Sequence, residues 1–307
     1  MRTFLYALIS VILSGMVLTS YAQNTLAESH FEGDNIRSVR ISGSFCDVNV
    51  EPSDRLIFDG IIKGDGDEGD YVIATIKSGG ELIIKVERKK DRNWGWNDID
   101  VARLDLEIPE GVALDIDNSS GDVRVNGYTG DILIVSASSG DLFLKDVKAD
   151  VRARTTSGDL VMRKITGEVS ARSTSGDQEF FEINGDMITG STSGDIEVIR
   201  LTGDLDIGST SGDIELDDVK GSISASSTSG DIEGEYILLT DDSRFKSTSG
   251  NIYIGLENDI EDLGFDLRAS SGDLEVGRLD GEDRLMIRRG DIQVTGISTS
   301  GDQTYTN

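Results

Sequence analysis

Gly194-Asp195-Ile196-Glu197-Val198-Ile199-Arg200-Leu201-Thr202 is followed directly by Gly203-Asp204-Leu205-Asp206-Ile207-Gly208-Ser209-Thr210-Ser211, and the two nonapeptides align residue for residue. Each opens on Gly-Asp. Each then alternates apolar and polar side chains, Ile196/Val198 in the first and Leu205/Ile207 in the second. A period of two marks a strand buried on one face. Nine residues hold a short strand and a turn but no helix, which excludes leucine-rich and ankyrin-like repeats.

Outward from this stretch, Ser-Gly-Asp recurs with its Gly at 121, 140, 158, 176, 194, 212, 230, 272 and 301, and Ser249-Gly250-Asn251 and Arg289-Gly290-Asp291 are variants. From Gly140 to Gly230 every step is eighteen residues, and a second Gly stands midway at 167, 185, 203 and 221. Strands this short cannot fold alone, so the coils must stack. The fold class that follows is all-β, a parallel β-solenoid of eighteen-residue coils. Each coil buries its apolar side chains on a common axis and pairs its backbone with the next coil ~4.8 Å away, so about ten coils make a rod of roughly 50 Å.

Glycine lets a corner take positive φ, and the Asp after it can accept amide hydrogens within its own turn. Gly158-Asp159, Gly176-Asp177, Gly194-Asp195 and Gly212-Asp213 are therefore structural corners. Ile165, Ile183, Leu201 and Val219 form an apolar plug before the second turn, and Thr174, Thr192, Thr210 and Thr228 take that place in the other half-coil. Serine and threonine hydroxyls are expected to stack into ladders between coils. Beyond Gly230 the spacing lengthens to twenty and then twenty-two, which predicts looped-out insertions at 235–243 and 258–264. Arg289-Gly290-Asp291 spells an integrin-type tripeptide but reads as a drifted Ser-Gly-Asp corner.

Residues 31–117 lack the strict repeat yet alternate as strands at Val39/Ile41, Val48/Val50, Leu56/Phe58, Leu82/Ile84/Val86 and Leu104/Leu106/Ile108. They are expected to cap the solenoid, whose open end would otherwise be an adhesive edge. At the N-terminus Arg2, the apolar run from Phe4 to Leu18 and Ser20-Tyr21-Ala22 have the pattern of a signal peptide cut after Ala22. The expected organisation is 1–22 signal peptide, 23–117 cap and irregular first coils, and 118–307 repeat solenoid. An exported chain, periplasmic or at the outer surface, follows, with no membrane-spanning segment after cleavage.

Lys and Arg total 29 against 57 Asp and Glu, and loss of Arg2 takes the formal charge from −28 to −29. Such a field repels nucleic acid and favours cations, calcium among them. Cys46 is the single cysteine, so no intramolecular disulfide forms and its place is that of a buried small hydrophobe.

Two loops carry candidate chemistry. Arg88, Arg92, Trp94 and Trp96 lie in a basic, tryptophan-bearing stretch suited to stacking a sugar ring or anchoring a partner. Asp65, Asp67 and Asp70 crowd one turn in the manner of the start of a calcium loop, without the bidentate Glu that completes one. The Asp column through the corners sets like charges one strand spacing apart, which a cation would also relieve. No cofactor is otherwise implied. His30 is the one histidine, and no nucleophile elbow, paired cysteine or His-rich metal motif occurs.

The serial Ser-Ser-Gly-Asp and Thr-Ser-Gly-Asp corners, with Val39-Arg40-Ile41 and Leu106-Glu107-Ile108-Pro109-Glu110-Gly111, resemble the bacterial putative-adhesin family of unknown function and its relative, the head GIN domain. The resemblance spans residues 35 to 302. It implies an exported β-helical protein and carries over no catalytic residue. The function expected is a non-enzymatic envelope or surface module that binds a protein or glycan. The alternatives are a carbohydrate-active β-helix enzyme, lyase or hydrolase, and an envelope-sensing interaction protein.

Overall fold

The computed structural model describes residues 24–89 and 99–307. Its centre is a run of strands in chain order: β10 (Thr129–Ala137), β11 (Leu142–Thr155), β12 (Leu160–Thr166), β13 (Val169–Arg172), β14 (Gln178–Asn184), β15 (Met187–Ser193) and β16 (Ile196–Thr202). β17 (Leu205–Ser211), β18 (Ile214–Gly221), β19 (Ile223–Ser229), β20 (Ile232–Leu239), β21 (Ser243–Ser249) and β22 (Ile252–Leu256) continue it. Beyond the long β11, each strand pairs in parallel with the next but one, so Ile196 lies beside Ile214 and Leu205 beside Ile223.

The result is two parallel sheets facing each other. Sheet A takes β10, the second half of β11, β13, β15, β17, β19 and β21. Sheet B takes the first half of β11, β12, β14, β16, β18, β20 and β22. The Ser-Gly-Asp corners carry the chain from A to B, and the midway Gly corners carry it back. Between the sheets lie columns such as Val169, Met187, Leu205 and Ile223 from A, and Leu160, Ile196, Ile214 and Ile232 from B, all buried. The parallel solenoid read from the period is the fold observed.

The corners are tighter than positive φ alone requires. A Cβ on Gly194 would lie 2.3 Å from the carbonyl oxygen of Gly176, which stacks on Gly158 in the same way. The glycines are a column of backbone in contact with backbone, so each one is fixed by the coil beside it. The aspartates bond along the stack as well. The carboxylate of Asp177 accepts the amide of Asp195 at 3.0 Å, and Asp195 accepts that of Asp213 at 2.8 Å. This ladder runs from Asp47 through Asp122, Asp141, Asp159 and onward to Asp302 and Asp273, with Asn251 as one rung. The amides come from the next coil, and bonding within the turn is corrected accordingly.

Two further expectations change. Thr174, Thr192, Thr210 and Thr228 are exposed, and the residues turned inward at the corner are the serines before them, Ser173, Ser191, Ser209 and Ser227. Sheet A strands keep strict alternation through Leu205, Ile207 and Ser209, whereas in sheet B the extra residue at Arg200 shifts the phase by one and turns Leu201 inward. The 235–243 stretch is not looped out as a whole, because β20 stays in register with β18 as far as Leu239. Its added length is confined to the corner Thr240–Asp242. Sequence alternation also hides a regular kink. Asp146, Lys164, Glu182, Arg200, Asp218 and Tyr236 all have φ between 53° and 60°, at eighteen-residue intervals in sheet B. Each is an extra residue skipped by the pairing, as Lys164 and Glu182 are between Arg163↔Phe181 and Ile165↔Ile183. From Asp146 to Asp218 their charges alternate along the stack, and Arg200 lies 3.0 Å from Glu182.

At both ends the rungs leave chain order. β2 (Ser38–Ser44) and β3 (Asp47–Pro52) form a rung that lies between β6 (Glu81–Arg88)/β7 (Ile99–Ile108) and β8 (Ala113–Asn118)/β9 (Val123–Asn126). The sheets run on without a break from β8 into β10 and from β9 into β11. Antiparallel strands close this end: β4 (Leu56–Gly64) on β7, β1 (Asn24–Gly33) on β4, and β5 (Tyr71–Ser78) on β6.

The other end repeats the device. β27 (Ile292–Ser300) and β28 (Gln303–Thr306) insert between β21/β22 and β23 (Leu263–Ala269)/β24 (Leu274–Val276). β25 (Leu279–Gly281) and β26 (Arg284–Ile287) then close the sheets as antiparallel edges. The 258–264 stretch leaves the coil path through a 3-10 turn at Ile260–Asp262. Arg289-Gly290-Asp291 leads from β26 into β27, on the side opposite the Ser-Gly-Asp corners, with Arg289 paired to Glu261. It is no drifted Ser-Gly-Asp corner.

Candidate functional site

Alternation that buries one set of side chains in a sheet displays the other set at fixed spacing outside. On the outer face of sheet A the displayed residues are Arg152 and Arg154 of β11, Ser170 and Arg172 of β13, Ile188 and Gly190 of β15, and Asp206 and Gly208 of β17. Ser224 and Ser226 of β19 and Arg244 and Lys246 of β21 follow. The pairing sets Arg152 beside Ser170 and Arg154 beside Arg172. Arg152, Arg154, Arg172, Arg244 and Lys246 are all exposed, and among the described residues none has an acidic partner. Elsewhere cations pair across strands, as Arg40 does with Asp115 and Arg163 with Glu179.

Between the two basic groups the side chains shrink. The face dips into a depression of about 810 Å³ lined by Arg154, Arg172, Thr174, Gly190, Gly208 and Thr210. A second hollow of about 480 Å³ shares Ile188 and Asp206 with it and reaches Arg244. Ile188 is 53% exposed on this floor. Of the aspartates along its margin, Asp186, Asp204 and Asp242 accept the amides of Asp204, Ser222 and Gln293. Behind the groove, the outer face of sheet B is acidic: Glu197, Glu215 and Glu233 stand in register with Asp217 and Glu235 alongside.

The ladder beneath this face has a testable electrostatic signature. The amide of Ser222 holds the Asp204 carboxyl below the usual carboxylate range. A depressed carboxylate contributes stability above its unfolded pKa and loses it as pH falls through the folded one. Asn251 already serves as a rung of the equivalent ladder at the Ser-Gly-Asp corners, so Asp204→Asn is expected to hold neutral-pH stability within ~0.5 kcal/mol and to flatten the acid limb of the melting-temperature profile. Asp204→Ala, which loses the acceptor, is expected to cost about 1 kcal/mol at neutral pH.

Of the residues singled out in the sequence, Gly158, Asp159, Gly176, Asp177, Gly194, Asp195, Gly212 and Asp213 occupy the corners. Arg92, Trp94 and Trp96 lie outside the described residues. Arg88 ends β6 with its guanidinium 6.0 Å from the centroid of the Tyr71 ring. Asp65, Asp67 and Asp70 share the loop between β4 and β5, where the Asp70 carboxylate accepts the Asp67 amide at 3.1 Å. Among the described residues no three His, Cys, Asp or Glu side chains converge as metal ligands. Cys46 is buried at the Gly position of the first corner in the chain, and burial pushes its thiol up to about 12. His30 is exposed and bonds Asp59 at 2.7 Å.

The groove cations were missed in the sequence. Their signal was present, since Arg154 and Arg172 are eighteen residues apart at an outward position.

The Toastrack DUF4097 family model matches twice, over residues 36–204 and 199–306. The chain belongs to the Toastrack DUF4097 family. Toastrack membership and the observed rod agree, since both describe stacked β-coils. A solved structure described as a "putative cell adhesion protein from Clostridium sporogenes ATCC 15579" is similar at 10% identity, over 91% of this chain and 98% of that one, with a TM-score of 0.21. No curated protein matches the chain. Among the described residues no helix is long and apolar enough to cross a membrane.

Proposed function

We propose that this Toastrack chain is an exported, non-enzymatic interaction module of the bacterial envelope, a rigid rod that offers the outer face of sheet A to a surface glycan or protein. The observation that carries this reading is the group of five unpaired cations on one face of a chain whose formal charge is −28. Acidic side chains pair with Arg40, Arg124, Arg163 and Arg200 on other parts of the rod, whereas these five cluster on one face with no such partner. The signal-type N-terminus and the resemblance of the corners to those of the putative-adhesin and head GIN groups support export and a surface role.

The test is saturable binding of the labelled chain, from Gln23 onward, to isolated bacterial envelopes. Retention that unlabelled chain displaces is expected. Binding that never saturates, or no retention at all, would remove the reading.

A further inference from the structure

We infer that the ligand of the sheet A groove is a carboxylate-bearing polysaccharide, lying along the stack between the Arg152/Arg154/Arg172 group and Arg244/Lys246. This rests on the reading of the chain as a binding module and names what that module binds.

Arg154 and Arg172 are direct cross-strand neighbours. Like charges so placed repel unless an anion lies between them. The planar guanidinium fork fits a carboxylate through two parallel hydrogen bonds. Among the described residues no carboxylate forms an ion pair with either arginine, the nearest on the floor of the depression being Asp206 two rungs beyond Arg172, so the fitting group is one supplied from outside.

The floor suits a sugar chain. Gly190 and Gly208 leave the backbone bare, so a ring can approach the sheet. Ile188 offers an apolar contact to a ring face. The exposed hydroxyls of Thr174, Thr192 and Thr210 run along the margin, each able to donate to and accept from a sugar hydroxyl.

Charge spacing favours this polymer over a nucleic acid. The rungs of Arg172 and Arg244 are four steps apart, about 19 Å at ~4.8 Å per step. Between them stands Asp206, with no cation. A duplex presents one charge per ~1.7 Å and needs a continuous basic track. A polymer with neutral stretches between carboxylates does not. The acidic stripe of Glu197, Glu215 and Glu233 lies on the far sheet, beyond the ~10 Å between packed sheets, and the Debye length at physiological salt is about 8 Å. The local field is therefore set by the groove cations and by the aspartates of the groove itself, of which Asp186, Asp204 and Asp242 already accept backbone amides, so the positive end is the Arg152/Arg154/Arg172 group.

The experiment measures binding of the chain from Gln23 onward to polygalacturonate and to neutral dextran in physiological salt. Saturable binding to polygalacturonate alone is expected, and Arg154→Ser with Arg172→Ser should weaken it at least tenfold. The control, Arg124→Ser with Arg163→Ser, removes equal charge from sheet B and should leave affinity unchanged. All four side chains are exposed, and matching circular-dichroism melts would show that both variants fold.

Equal weakening by the two variants would overturn the site, as would equally tight binding of duplex DNA. A shift of the free chain from oligomer to monomer on Arg154→Ser with Arg172→Ser would assign the face to a second copy of the chain instead. Failure with polygalacturonate while envelopes still bind would remove this inference and leave the module reading standing. Shortening of the polymer during incubation would overturn the non-enzymatic reading itself.

Discussion

Gly194→Ala lowers the stability of the rod by about 2–6 kcal/mol, from backbone strain of ~1–3 kcal/mol and overpacking of ~1–3 kcal/mol. Its φ of 132° lies in the region that disfavours any side chain, and the added Cβ would meet the Gly176 carbonyl oxygen at 2.3 Å. The obstacle is backbone held by its own ladder bonds, so no rotamer change relieves it. In a solenoid each coil touches only its neighbours, and the damage is carried by two interfaces.

Gly255→Ala is the matched control. Its φ is unremarkable, and the nearest atom to a new Cβ is 3.5 Å away. Its stability should stay level or rise by up to ~1 kcal/mol, because the unfolded chain loses freedom. Urea midpoints followed by circular dichroism would compare the two. Similar midpoints for both would show that glycine stacking does not hold the corners.

The centre of this rod was legible because its signal is local and repeated. An alternating pair such as Ile196/Val198 fixes which side chains turn inward, and eighteen-residue recurrence fixes the register. The direction of the Asp bonds was not legible. An Asp after Gly can accept an amide from its own turn or from the next coil, and only the stacked geometry chooses between them. The left-handed residues were hidden for a different reason. Positions filled by Lys164, Glu182 and Arg200 carry neither Gly nor Asn, and their conformation comes from the neighbouring bulges they stack on.

The order of rungs at the ends had no local signal at all. Leu82/Ile84/Val86 alternates identically whether β6 is the outermost rung or the second. Which coil lies outside is decided by the antiparallel partners, β5, which is joined to β6 by the Gly79-Gly80 hairpin, and β4, which reaches β7 from a distant stretch of chain. The groove required one more step, namely applying the period to the outward positions. Arg154 and Arg172 lie in different repeats and become neighbours only through the pairing of β11 with β13.

The inverted order at the C-terminal end makes Tyr305 the residue on which that end depends. β28 runs between β22 and β24, and the Tyr305 ring sits edge-on to Phe245 at 6.0 Å and to Phe265 at 5.5 Å. It thereby joins β21, β28 and β23, three rungs brought together from distant stretches of chain. Tyr305→Ala is expected to cost about 3–5 kcal/mol, the range for large buried aromatic side chains. Its fully buried hydroxyl has no hydrogen-bond partner among the described residues, and burial raises the phenol far above its ordinary pKa. Tyr305→Phe removes only that unsatisfied group and should be neutral or stabilising. Hydrogen exchange should localise the alanine effect, with protection lost in β23, β24 and β26 while β12 to β18 keep theirs. Uniform loss along the rod, or equal damage from phenylalanine and alanine, would show that the end is held by something other than this aromatic contact.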